Sequence, residues 1–357
     1  MKTVVYTIAK NEEKHVRRWA ESCKDADYRF ILDTGSTDKT MEIAKELGIP
    51  CEQKIFDPFA FDTSRNEAIS RLPLDVDYCI SLDMDEQLSP NWKEDLKRAY
   101  ELKVNRPYHK VVIGFDKDGN GVDYFLTSRI HGRKGFKWVH PIHENLVADG
   151  TVEETRCDVG LEVLHHPDKD KPRKLYLTLL EEAVKANPLS DRYSHYLARE
   201  YFIKGMPEKA APEFKRHVEL SSSVWNAEKA ESMRYIAKCP GEDTRYWLQR
   251  AYEICPERRE TIYDLVKYYY IQKEWKKCLE LAEEAIKIDK NRYVYFNEEE
   301  AWSYRLYDFA SLAAWTLDEY KKAFEYCLEA YLMNPSEKRI GDNLKLFKTK
   351  VKVITWN

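Results

Sequence analysis

No stretch of this 357-residue sequence approaches the ~20 continuous apolar residues of a membrane-spanning helix. No two cysteines form a C-x-x-C pair; the eight stand apart at positions 23, 51, 79, 157, 239, 255, 278 and 327. That spacing argues against structural zinc and thioredoxin-like chemistry and predicts buried, reduced thiols. An excess of one charge is missing too. Fifty-eight basic against 62 acidic side chains leave a net charge of −4, which excludes a globally basic nucleic-acid binder but not a local basic patch. A cleavable leader is not apparent: Met1–Ile8 is apolar but short and runs into Lys10-Asn11-Glu12-Glu13, so a cytoplasmic location is expected. Disorder does not fit 43% hydrophobic and 13% aromatic residues spread along the chain. At roughly 100–200 residues per domain, the length predicts two domains.

The hydrophobic period changes along the chain. Thr3–Ile8, Tyr28–Leu32, Cys51–Ile55 and Asp77–Leu82 read as short buried strands. Between them lie helical patterns, with Val16, Trp19, Ala20 and Cys23 on one face and Ile43, Ala44 and Leu47 on another. Asn11 is expected to cap the first helix, with Glu12 and Glu13 in its first turn. Gly48 suits the end of the second. This alternation predicts an open, mostly parallel sheet, which binds ligands beyond the carboxyl ends of its strands. After about residue 105 the pattern is strand-like and irregular, with a turn expected at Lys117–Gly121. From Lys171 glycine almost disappears and nearly everything reads as helix. The division is therefore set at 1–170 and 171–357.

Four segments of the first part carry candidate chemistry: Ala9-Lys10-Asn11-Glu12-Glu13, Asp33-Thr34-Gly35-Ser36-Thr37-Asp38, Ser64-Arg65-Asn66-Glu67-Ala68 and Leu82-Asp83-Met84-Asp85-Glu86. Each follows a predicted strand or opens a helix, so all four can converge on one sheet edge. Asp83 and Asp85 follow a buried strand, where paired carboxylates suit Mg²⁺ or Mn²⁺ shared with substrate phosphates; a solvated acidic turn is the plainer alternative. Ser36, Thr37 or Asp38 can cap a helix, whereas Asp33 need not cap anything. Arg65 near a helix start opposes the helix dipole, so a nearby phosphate or carboxylate is expected to compensate it.

These segments, in this order, resemble the family-2 glycosyltransferases, which have the GT-A fold. Trp138-Val139-His140-Pro141-Ile142-His143-Glu144 is similar to the W-x-x-x-I-H-E segment of one branch. That branch includes bacterial peptide S-glycosyltransferases and enzymes with a tetratricopeptide-like C-terminal region. Leu164-His165-His166-Pro167 is similar to its histidine segment, which more often reads His-Tyr-Gly. Tyr193–Leu220, Thr261–Ile288 and Tyr307–Met333 each resemble a tetratricopeptide helical hairpin, most clearly in Ala310…Ala314-Trp315…Ala323…Ala330…Asn334-Pro335. The resemblance implies an α/β GT-A-type, Rossmann-like nucleotide-sugar domain followed by an all-α helical-hairpin domain. It implies Asp33, with the backbone of Thr7 and Ala9, at the nucleotide base. Arg65 would reach base or diphosphate, Asp83 the ribose or metal, and Asp85 the metal, with His165 as the candidate third ligand and His166 as the alternative. An inverting transfer from a nucleotide-diphosphate sugar, most commonly UDP-linked, follows. Glu144 is the expected base and His143 its rival; Trp138 either stacks on the sugar or packs in the core.

Residues 124–143 contain no Asp or Glu but carry Arg129, Arg133, Lys134 and Lys137 with three histidines. A loop over the donor diphosphate, a solvated loop, or a surface for DNA phosphates are the three readings, in that order. The last would use Tyr124, Phe125, Phe136 and Trp138 for stacking. A peptide or protein acceptor presented by the helical hairpins is favoured. Hydroxymethylated pyrimidines in DNA, a cell-surface saccharide, and a non-catalytic repeat scaffold are the alternatives. The helices can equally buttress the enzyme or form a homodimer.

Overall fold

Val5, Ile31 and Ile80 point to one face of a sheet, Val4, Tyr6, Phe30, Leu32 and Cys79 to the other, and both sets are buried. Burial on both faces is what makes central parallel strands read as unbroken apolar runs. A computed structural model describes residues 1–115, 119, 121–167, 174–288 and 298–354. The chain divides into two compact units, Met1–Leu179 and Leu180–Asn357.

The first unit runs β1 (Thr3–Ala9), α1 (Val16–Ser22), β2 (Tyr28–Asp33), α2 (Thr40–Glu46), β3 (Cys51–Gln53), α3 (Phe61–Ser70), β4 (Tyr78–Ser81), β5 (Glu86–Leu88) and α4 (Trp92–Glu101). It continues through β6 (Tyr108–Phe115), β7 (Gly121–Thr127), β8 (Ile130–Gly132), β9 (Phe136–Val139), β10 (Asn145–Ala148) and β11 (Asp158–His165). Helix α5 (Lys174–Ala186) spans the boundary between the units. The main sheet has the order β3-β2-β1-β4-β8. Its first four strands are parallel and β8 is antiparallel. Pairing of Ala9 with Asp33 and of Tyr6 with Ser81 brings the ends of β1, β2 and β4 to one edge. Helices α1, α2 and α4 share one core with β6 and β11; α3, β9 and β10 cover the opposite face. A second sheet has the order β5-β11-β6-β7, and β9 pairs with β10. The turn expected at Lys117–Gly121 lies mostly outside the described residues. All eight cysteines are free, six buried and Cys51 and Cys157 half-buried.

Two local expectations are corrected. Asn11 does not cap α1, which starts at Val16 without a side-chain cap. Asn11 sits at φ 57° and bridges to the other loop: its N–H donates to Ser36 Oγ (2.8 Å), and its Oδ1 accepts the Thr37 N–H (2.8 Å). Glu12 N–H donates to Thr40 Oγ1 and Glu13 N–H to Asp38 Oδ2. These polar residues spend their hydrogen bonds tying two loops together, so none is left for a cap. Likewise, Ser64-Arg65-Asn66-Glu67 lies inside α3, which begins at Phe61.

The second unit is helical among its described residues: α6 (Asp191–Ile203), α7 (Pro207–Glu219), α8 (Asn226–Ala237), α9 (Thr244–Ile254), α10 (Arg259–Ile271), α11 (Trp275–Ile286), α12 (Glu299–Trp302), α13 (Tyr304–Thr316), α14 (Tyr320–Met333) and α15 (Lys338–Ile354). Helix α6 packs on α7, α8 on α9, α10 on α11 and α13 on α14. Ala198, Ala210, Ala310, Ala314, Ala323 and Ala330 are fully buried, small enough for helices to approach closely. Three of the hairpins turn alike. Gly205, Lys273 and Asp318 have φ of 71°, 58° and 60°. The next residue's N–H reaches back to Tyr201, Tyr269 and Ala314 carbonyls respectively, the Schellman pattern.

Candidate functional site at the sheet edge

Asp33, the last residue of β2, is fully buried. Its Oδ1 accepts the N–H groups of Gly35 and Ser36 and Gln53 Nε2, each at 2.9 Å. Asp33 therefore does organise the turn after β2, contrary to the expectation that it need cap nothing. Its buried Oδ2 has no hydrogen-bond partner among the described residues. A buried carboxylate oxygen without a donor is costly unless a ligand supplies one. Beside it, the Ala9 carbonyl accepts both the N–H (2.8 Å) and hydroxyl (3.1 Å) of Thr34. Thr7 lies two residues back in β1 and is fully buried.

Arg65 is 4% exposed and fully engaged. Its Nε donates to Glu144 Oε1 (2.7 Å), Nη1 to Ser81 Oγ (2.9 Å) and Nη2 to Asp83 Oδ1 (2.7 Å). Arg129 Nη1 reaches Asp83 Oδ2 (3.0 Å), and its Nη2 pairs with Glu86. The result is an alternating chain, Glu144–Arg65–Asp83–Arg129–Glu86. Burial works to raise the Asp83 pKa, but Arg65 and Arg129 hold it well below the usual carboxylate range. The compensating carboxylates expected for Arg65 are thus its own neighbours. Glu86 and Arg129 are members of this chain that sequence reasoning missed in this role. The signal was a third acid three residues after Asp83 and an arginine inside the acid-free stretch.

Glu144 reaches Arg65 from the β9–β10 loop, where His140 and His143 take φ of 81° and 52°. Left-handed backbone at non-glycine residues is uncommon and clusters at functional loops. The His143 ring packs edge-on to Tyr176, centroids 5.9 Å apart. Trp138 does not offer a face to a sugar. It is 3% exposed, its Nε1 donates to Tyr6 OH (2.9 Å), and the Arg65 guanidinium lies 4.9 Å from its ring centroid. Asn66 locks the Trp138 backbone through two 2.8 Å hydrogen bonds. The core-packing alternative for Trp138 holds because its ring supports Arg65.

Asp85 and His165 meet, with Oδ2 and Nε2 3.3 Å apart. The hydrogen bond to Asp85 raises the His165 pKa. His166 turns away: its ring stacks on Phe115 (4.7 Å, 13°), while its N–H donates to the Asp85 carbonyl (2.9 Å). Lys14 and His15, just before α1, and Arg18, on α1, line an open hollow with His165 and Phe115; sequence reasoning passed over these residues.

The acid-free stretch does not form one basic surface. Arg129 is consumed as above, and Arg133 donates to the carbonyls of Pro73 (2.8 Å) and Leu72 (2.9 Å). Lys134 and Lys137 remain exposed. Phe136 and Trp138 are buried, Phe125 packs against the core, and Tyr124 is exposed beneath Lys110. His131 is buried, which pushes its pKa down to about 4.

Residues 4–140 match the model of glycosyl transferase family 2, so the chain carries a family-2 glycosyltransferase domain in its first unit. A curated relative, an uncharacterized glycosyltransferase of Rickettsia bellii (strain RML369-C), is 30% identical over 100 residues, covering 28% of this chain. The match spans about a third of that relative's length, 33%. Among solved structures, glucosyl-3-phosphoglycerate synthase from Mycobacterium tuberculosis, in complex with Mn²⁺ and UDP, is similar at 17% identity. It covers 31% of this chain and 44% of its own, with a TM-score of 0.27. YrrB, a TPR protein with an unusual peptide-binding site, is similar at 13% identity over 48% of this chain and 83% of its own, with a TM-score of 0.36. The fold class is as expected: a mixed α/β domain followed by an all-helical region. Among the described residues, no helix is long and apolar enough to cross a membrane.

Proposed function

We propose that this protein is a divalent-metal-dependent, inverting glycosyltransferase of the hexosyltransferase type. It would move a sugar from a nucleotide-diphosphate donor, UDP-linked first, to a macromolecular acceptor. Residues 1–170 would be the transferase domain and 171–357 the helical domain. The observation that carries the reading is the buried Asp33 Oδ2, aimed from a parallel-strand end and lacking a donor. A nucleobase N–H would satisfy it, with the β1 end at Ala9 alongside. Asp85 and His165 fit a hard-to-borderline divalent cation: an oxygen and an imidazole nitrogen 3.3 Å apart, both part-exposed. Mn²⁺ or Mg²⁺ bound there would act as a Lewis acid toward the diphosphate. Asp83, held between two arginines, is better placed to fix Arg65 and Arg129 than to ligate metal. Lys14 and Arg18, which line the hollow beside His165, would supply positive charge for the diphosphate.

In a single displacement the acceptor attacks the anomeric carbon as the bond to the diphosphate oxygen breaks. The acceptor proton passes to Glu144, or to His143 beside it in the same loop. A peptide or protein acceptor is favoured because stacked helical hairpins offer extended binding surfaces. A DNA acceptor loses support, since Arg129 and Arg133 are spent inside the fold and Lys134 and Lys137 alone of the four are exposed. Eight free cysteines suit a reducing, cytoplasmic compartment.

The test is thermal stability with nucleoside diphosphates, with and without Mn²⁺, on wild type and Asp85→Ala. A ligand at 100-fold its dissociation constant adds ~2.7 kcal/mol. A Mn²⁺-dependent shift with one nucleotide, absent in Asp85→Ala, is expected. No shift with any nucleotide would overturn the donor site and favour a non-catalytic scaffold.

A further inference from the structure

Three side chains of the second unit take no part in the reading above, yet they converge inside it. His195 on α6, His217 on α7 and Glu228 on α8 each place one ligand-type atom within 4.8 Å of the other two. Both histidines are fully buried, and Glu228 is 8% exposed. His217 Nε2 lies 3.3 Å from Glu228 Oε1. Two ligands of a tetrahedral zinc, each ~2.0–2.1 Å from it, stand about 3.4 Å apart. Ser232 Oγ is 2.8 Å from His195 Nδ1 and 2.9 Å from His217 Nδ1. Outer hydrogen bonds of this kind fix the tautomer and orientation of metal-bound imidazoles. Ser223 Oγ, 3.2 Å from His217 Nε2, adds a further oxygen at the same point.

The charge balance points the same way. Among the described residues, the ion-pair partner of Glu228 is His217; no lysine or arginine reaches it. The Asp191 carboxylate adds a second negative charge nearby. A buried carboxylate among imidazoles and hydroxyls is a poorly compensated charge, and a cation would balance it. Two imidazoles and one carboxylate, with no thiolate, form a donor set that zinc accepts readily.

We propose that His195, His217 and Glu228 bind one divalent transition metal, zinc by preference, as a staple across α6, α7 and α8. The site lies within the second unit and does not depend on the glycosyltransferase reading. The measurement uses the full chain in an Asp85→Ala background, so that metal at the first site does not register. The protein is stripped with EDTA, given one equivalent of zinc and dialysed, and the retained metal is counted by mass spectrometry. One zinc per chain is expected, with a rise in melting temperature that EDTA reverses. Glu228→Gln and His217→Gln, each added to that background, should cut zinc retention at least tenfold. Absence of retained zinc, or retention untouched by both substitutions, would overturn the proposal and leave the cluster a hydrogen-bonded chain. Circular dichroism checks the folding of each variant. Should either unfold, cobalt in the Asp85→Ala protein decides: tetrahedral nitrogen and oxygen bands support the site, and the spectrum of aqueous cobalt rejects it.

Discussion

Arg65 gathers the charges of the first unit. It is buried, it touches Glu144, Ser81 and Asp83, and Trp138 backs it. Moving any of these partners moves the others, because a buried guanidinium left unpaired is strongly unfavourable. Glu144 thus has two jobs in our reading, holding Arg65 and accepting the acceptor proton. Glu144→Gln keeps the shape and removes the charge. We expect kcat to fall about 10²–10⁴-fold with the donor KM little changed. An unchanged kcat, with only the donor KM raised, would assign Glu144 to positioning and move the base role to His143. At this scale the motifs of the sequence singled out Arg65, Asp83 and Glu144, which the fold joins by hydrogen bonds, and Asp85 and His165, which meet. The sequence put His165 ahead of His166 as the partner of Asp85, and in the fold His165 meets Asp85 while His166 stacks on Phe115, because adjacent residues diverge as β11 ends.

Turns decide the elements. In the helical unit, left-handed residues at Gly205, Lys273 and Asp318 close three hairpins the same way although their identities differ, which is why the repeat looked degenerate. In the first unit, Gly135 links β8 to β9 at φ 86°, and its carbonyl accepts the Asp149 N–H. A Cβ there would meet Val152 Cγ2 at 2.3 Å. Gly135→Ala should therefore destabilise the first unit by about 1–3 kcal/mol through backbone strain and overpacking. Gly160→Ala is the control, with φ 78° but nothing within 4 Å of the new Cβ. Scanning calorimetry should show a clearly larger drop in melting temperature for Gly135→Ala. Equal drops would mean that the contact with Val152 relaxes freely.

At the scale of the whole molecule, two cores of different kind share one chain. The helical unit contains a buried ion network. Arg234 is inaccessible to solvent and donates to Asp264 (2.7 Å), Glu231 (2.8 Å) and Glu298 (2.7 Å), joining α8, α10 and the residue before α12. Burial tends to raise the Glu231 pKa, but Arg234 and Arg258 bring it below its ordinary 4.5. Because the folded value is the lower one, this pairing stabilises fully above about pH 4.5 and fades as pH falls through the folded value. Arg234→Met strands buried carboxylates and should cost about 3–5 kcal/mol at neutral pH. Its melting-temperature deficit against wild type should shrink below pH 4.5, where protonation relieves the stranded acids. A deficit independent of pH would mean that packing, not charge, is what Arg234 supplies.

The sequence by itself determined the strand–helix alternation, the switch to a helical array and the order of polar segments at the strand ends. Those follow from local period and composition, which each stretch of chain carries alone. Only the tertiary structure decided how polar side chains share their hydrogen bonds. Asn11 left a helix cap to bridge two loops, Arg129 turned to Asp83 and Glu86, Arg133 turned to the carbonyls of Leu72 and Pro73, and Trp138 went to the core under Arg65. His195, His217 and Glu228, up to 33 residues apart in the chain, came together across three helices. Such outcomes depend on which partners burial brings within reach, and no local pattern records that.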